Sequence, residues 1–85
     1  MGYSKPMVTV FRAHGLRFII FVDDHLPAHV HVFGDGHIKA NLVGQDGGPE
    51  LVTIEGMKRG DVRRAMQIIE EQQAFLLECW RKIHG

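Results

Sequence analysis

The apolar residues of this 85-residue chain change period once, at Lys58. Up to Glu55 they alternate with polar residues or run together in short stretches. That is the pattern of strands, whose side chains point to opposite faces in turn. From Lys58 onward they recur at three- and four-residue spacing, as on a helix with one apolar face. Strands first and a helix last describe an α+β chain: a small antiparallel sheet of four to five strands, about residues 7–55, packed against one long C-terminal helix, about residues 58–84. The whole chain, 1–85, reads as a single domain. A chain this short buries only a little more than about 60 % of its unfolded surface, so its core is thin.

Residues 1–5 read as a frayed start ended by Pro6. Residues 7–12 are β-branched and aromatic and make the first strand. Ala13-His14-Gly15 is a short turn in which Gly15 is free to adopt positive φ, so the second strand, 16–22, returns as a hairpin. Its run Phe18-Ile19-Ile20-Phe21-Val22 is apolar on both faces, which places it centrally. Residues 23–28 form a loop in which Pro27 cannot donate a ladder hydrogen bond. Residues 29–33 and 37–43 alternate and make strands three and four about the turn Gly34-Asp35-Gly36. Residues 44–49 are the clearest loop, and residues 50–55 a short fifth strand at the edge. Alternation points Val30, Val32, Ile38, Ala40 and Leu42 toward the helix. It points His29, His31, His37, Lys39 and Asn41 the other way, where Arg17 of strand two can join them.

In the helix, Val62, Ala65, Met66, Ile69, Leu76, Trp80 and Ile83 form the apolar stripe, widened by Ile68, Phe75 and Cys79. At roughly 25 residues it would be about 38 Å long, more than one small sheet can cover. One end then projects or meets a second chain, as in a homodimer, and the break of the stripe at Gln72-Gln73 fits either arrangement. Lys58, Arg59, Arg63 and Arg64 sit near the helix N-terminus, where cations oppose the helix dipole. They are candidates for gripping nucleic-acid phosphates or an acidic partner; the alternative is a solvated helix face.

Ten Lys and Arg balance ten Asp and Glu, so bulk charge gives no case for a nucleic-acid binder. Cys79 is the only cysteine, which excludes an intramolecular disulfide and fits a reducing compartment. The apolar run 18–22 is far too short to span a membrane, and no targeting pattern opens the chain. The expectation is a cytoplasmic protein with no membrane attachment.

Three of the six histidines lie in Asp23-Asp24-His25-Leu26-Pro27-Ala28-His29-Val30-His31-Val32. His29 and His31 are two apart on a strand, so both rings share a face and can bind a first-row metal such as zinc or manganese. His25 or Asp24, held by the preceding loop, supplies a third ligand, and an open fourth position lets a bound water become a nucleophile near neutral pH. The alternative is that the histidines are plain strand residues, or that they brace the loop through its acids. Of those acids, Asp23 is assigned to loop capping, while Asp24 is open between capping and general-base work. Lys39 beside two histidines can contact a phosphate or carboxylate, or stay a solvated strand lysine.

Residues 15–32, with their aromatic-rich strand and Asp-Asp-His-Leu-Pro-Ala-His-Val-His-Val, resemble the hallmark of a small bacterial family, domain of unknown function 4160. Its usual pattern is Asn-Asp-His, a Pro-Pro pair and His-Val-His-Val. The resemblance includes Lys39 and the helix ending in Trp80, and it covers the chain from about Val8 to Gly85. Asp23 replaces the Asn, Ala28 the second Pro, and Lys58 a helix-capping Ser, a loss of about 1 kcal/mol. Residues 44–49 also look longer than usual. Asp24, His25, His29, His31 and Lys39 all keep the pattern.

The resemblance implies half of a two-gene pair, next to a second small protein of the family numbered 2442, in an arrangement regarded as toxin–antitoxin-like. It establishes no activity. Two functions follow as expectations. The first is a protein that binds a small partner from the adjacent gene through the His-rich sheet face or the exposed helix end. The second is a metal-dependent hydrolase or nuclease using Asp24, His25, His29, His31 and Lys39. In a third possibility the motif is purely structural and binding is done elsewhere.

Overall fold

Five strands form where β-branched and aromatic residues alternate: β1 (Met7–Ala13), β2 (Leu16–Phe21), β3 (His29–Gly34), β4 (Gly36–Asn41) and β5 (Glu50–Glu55). The computed structural model describes residues 6–85, so the frayed start expected for residues 1–5 lies outside the described residues. The strands pair antiparallel in the order in which they occur, β1-β2-β3-β4-β5. Each link is short enough for a direct return. The β1–β2 turn uses the positive φ expected of Gly15 (76°) and a second one at His14 (54°). The β3–β4 hairpin closes on Gly34 opposite Gly36.

Gly36 is required by its surroundings as well as by its φ of 121°. A Cβ there would lie 2.5 Å from the carbonyl carbon of Gly56 and the nitrogen of Met57. The backbone after β5 is thus laid directly against the tip of the β3–β4 hairpin.

The core sits on one face of the sheet, as the alternation requires. Phe18, Ile20, Val30, Val32, Ile38, Ala40 and Leu42 are fully buried there, packed with Ala65, Ile68, Ile69, Leu76 and Trp80 of the helical layer. Ile19, on the opposite face, is also buried, so the middle of β2 is covered on both sides. Met57 joins the core just before the helix begins, a position that periodicity did not reach. Cys79 packs against the core, and burial pushes its thiol pKa up, which keeps it protonated and inert at neutral pH.

The helical layer differs from the single helix expected. It is two helices, α1 (Arg59–Glu71) and α2 (Gln73–His84), hinged at Gln72, where φ is −104° and ψ is 18°. The Gln73 side-chain amide supplies a reason for the break. It donates to the carbonyls of Leu42 (2.7 Å) and Gly47 (2.9 Å), turning a polar interruption of the stripe inward onto the loop after β4. The described residues span 35 × 31 × 20 Å, and an unbroken helix of about 38 Å would overrun them. Bending keeps both halves on the sheet. Lys58 caps α1 without a side-chain hydrogen bond, as expected where Ser is replaced. Neither helix is long and apolar enough to cross a membrane.

Candidate metal centre

The site begins where β2 stops. The Asp24 amide donates to the carbonyl of Phe21 (3.1 Å), and the Phe21 amide donates back to Asp24 Oδ2 (3.2 Å). This tight turn swings the Asp24 carboxylate over the end of the sheet. The capping role expected of Asp23 therefore falls to Asp24; Asp23 is exposed. The chain then passes through the cis Leu26–Pro27 peptide into β3. The Pro27 carbonyl lies 2.8 Å from His29 Nδ1 and takes that proton.

With Nδ1 so engaged, His29 Nε2 points at Asp24 Oδ2, 3.1 Å away. His31 Nε2 points at the same oxygen from 3.7 Å. The His31 Nδ1 is tied to His37 Nε2 at 3.0 Å, and His37 Nδ1 lies 3.8 Å from Glu55 Oε1. The side chains of His29, Asp24 and His31 are only 6, 11 and 15 % exposed. Trp80 of α2 lies against His29, ring centroids 5.3 Å apart, and is tilted by 30° against His84 at 3.8 Å. The His29 expected on an open sheet face is therefore roofed and buried.

The donor set has the chemistry of a metal site. One ligand atom from each of Asp24, His29 and His31 lies within 4.8 Å of the other two. A tetrahedral zinc with bonds of roughly 2.0–2.1 Å spaces its ligands about 3.3 Å apart; the two nitrogens stand 3.1 and 3.7 Å from Asp24 Oδ2. Each histidine has its second nitrogen held by another group, a carbonyl for His29 and a ring nitrogen for His31, as metal-ligating histidines do. Burial lowers the His31 pKa from 6.5 to about 4, against the opposing pull of Asp24 and with help from His29, His37 and Lys39. The ring is thus neutral at pH 7, with a lone pair to offer.

The remaining candidates are distributed as follows. His25 is exposed and stands outside the three-ligand group, on the rim of a hollow of about 660 Å³ in front of it. Lys39 lines that hollow and sits directly across from His31 in the β3–β4 register. Arg17 is exposed and opposite Phe33, its guanidinium 5.8 Å over that ring, at the end of β2 away from Asp24. Lys58, Arg59, Arg63 and Arg64 are exposed and begin at the hairpin-tip end of the sheet, opposite the His29 end. His37 was assigned to this face but to no role. Its link to His31 could have been found from the register, since a residue opposite Phe33 is diagonal to His31. The Trp80 roof carried no local signal.

No curated protein and no solved structure matches the chain. The family described as Domain of unknown function (DUF4160) matches residues 15–81, a span that contains Asp24, His29, His31, His37, Lys39 and Trp80. With most of its length matched, from the start of β2 into the last turns of α2, the chain belongs to the DUF4160 family.

Proposed function

We propose that Asp24, His29 and His31 hold a divalent transition ion, zinc or manganese, and that the protein is a hydrolase of anionic esters such as phosphodiesters. The observation that supports this reading is the convergence of two imidazole nitrogens on one buried carboxylate oxygen, beside a hollow. With three protein ligands, such an ion would keep a position for water or substrate, as catalytic rather than structural sites do. An ion held by Asp24, His29 and His31 would supply Lewis acidity and make water a nucleophile near neutral pH. In hydrolysis of such an ester, water would form one P–O bond as the ester P–O bond breaks, its proton passing to solvent and the departing alkoxide taking one from water. Lys39 supplies the charge for a phosphate oxygen. His37 orients His31.

The test is metal content and cleavage together. Purified protein should take up zinc or manganese at micromolar concentration, and the double variant His29→Ala/His31→Ala should lose both uptake and hydrolysis of a phosphodiester or RNA substrate. Protein that takes up neither ion ends this reading. A second reading, a protein that binds a small partner chain, is supported by a different surface, the exposed strand β5.

A further inference from the structure

The sheet ends on a strand that is exposed along its whole length. All six residues of β5 are exposed, and three are large and apolar: Leu51, Val52 and Ile54, at 37, 45 and 52 %. The opposite edge is different. Met7 and Val8 at the start of β1 are exposed, but Val10, Phe11 and Ala13 pack against the core; each edge strand carries one bulge, near Val10 and at Val52. β5 carries no Pro and no Lys, two common guards of a free edge.

The register says what kind of chain would cover β5. Leu51 lies opposite Ala40 and Ile54 opposite Ile38, with a bulge at Val52 between them that brings the two onto one face. Both partners are fully buried on the helix side, so Leu51 and Ile54 face that side too, beyond the cover of the helices. Glu50 and Glu55 face the other way, opposite Asn41 and His37. A second copy is the first candidate, and charge argues against it. Antiparallel pairing of two β5 strands with like faces matched sets Leu51 against Ile54 of the other copy. It also sets Glu50 against Glu55, twice. Like charges directly opposite are destabilising.

We propose that β5 receives an extended segment of a different protein, added antiparallel as a sixth strand, with apolar residues facing Leu51 and Ile54 and Lys or Arg facing Glu50 and Glu55. Main-chain hydrogen bonds along the free edge supply affinity, and the alternating side chains supply selectivity. None of Asp24, His29 or His31 takes part; Glu55 reaches that group only through His37, 3.8 Å away, so the test reads peptide affinity and not metal uptake.

The experiment uses the full chain and two labelled peptides, Lys-Val-Thr-Val-Lys and Glu-Val-Thr-Val-Glu, each between Gly-Ser flanks; as in β4, five residues span the six of β5 because Val52 bulges. Anisotropy titration at low salt should give affinity for the lysine peptide about tenfold or more above that for the glutamate peptide, the gap narrowing at high salt. Amide shifts should centre on residues 50–55. The variant Glu50→Lys/Glu55→Lys, checked for an unchanged melt, should reverse the preference. Three results would overturn the proposal: no binding of the lysine peptide up to about 1 mM, shifts mapping away from β5, or a wild-type dimer that Leu51→Lys dissociates. The last would make a second copy the occupant.

Discussion

Two regions of this sheet depart from the usual sorting of side chains in opposite directions. At the open end of β3, an acid and two histidines are withdrawn from water. Along β5, three large apolar side chains are left in it. Each departure costs stability on its own, since buried polar groups need partners and exposed apolar strips invite association. The first region is over-determined: a turn, a carbonyl, a neighbouring ring and an indole all fix where the polar atoms point. Among the described residues, the second is held along its inner edge, by pairing to β4. A rigid, converging set suits a small ion. A strip with one free backbone edge suits another chain.

The comparison can be tested at several strengths. Ile38 and Ile54 are the same residue, paired across β4 and β5, fully buried in one case and half exposed in the other. Ile38→Ala should cost about 2–5 kcal/mol in urea unfolding. A small loss there would mean the helical layer does not seal the β4 side of the sheet. Asp24→Asn comes next. It keeps the shape and an acceptor for the Phe21 amide but removes the charge, so metal affinity should fall about 100-fold or more while the melting point in chelator moves by only a few degrees. If the melt collapses instead, the acid is there to brace the loop.

A third expectation concerns pH. Folding holds His31 neutral, its pKa near 4 against 6.5 in a free chain. Above pH 6.5 its contribution to stability is constant. As pH falls from there toward about 4, the unfolded chain takes the proton first, and metal-free protein should lose about 1–3 kcal/mol from this group. Urea midpoints compared with those of His31→Asn isolate that slope; parallel curves would count against it. The smallest effect should be that of Ile54→Ala, within about 0.5 kcal/mol of wild type. A larger cost would show that β5 is better covered than its exposure indicates.

Much of this fold was legible in alternation and turn residues. The hairpin about Gly34-Asp35-Gly36 and its alternation placed His29, His31 and Lys39 on one face; the register that sets Lys39 opposite His31 comes from the fold. The choice between neighbouring acids was not legible, because Asp23 and Asp24 differ only in where a four-residue turn leaves each side chain. For the same reason His25 could be expected as a ligand and yet point to solvent. The helix break was visible as a polar gap at Gln72-Gln73, but its cause lies with partners 31 and 26 residues away. The roof over His29 is likewise a matter of where α2 ends up once it bends. Periodicity reports which face a residue takes, not which distant residue meets it there.

The Gln73 amide has a practical consequence for anyone handling the protein. Its forked grip on Leu42 and Gly47, with the Gly44 amide donating to Gly48 and the Gly47 amide to Gly44, fastens the base of that loop and leaves Gln45 and Asp46 exposed at the tip. Because lengthening a loop with anchored ends adds little closure entropy, a short epitope or fluorophore-binding tag spliced between Gln45 and Asp46 should leave the rest of the molecule undisturbed. Such a handle reports on both regions without a label at either.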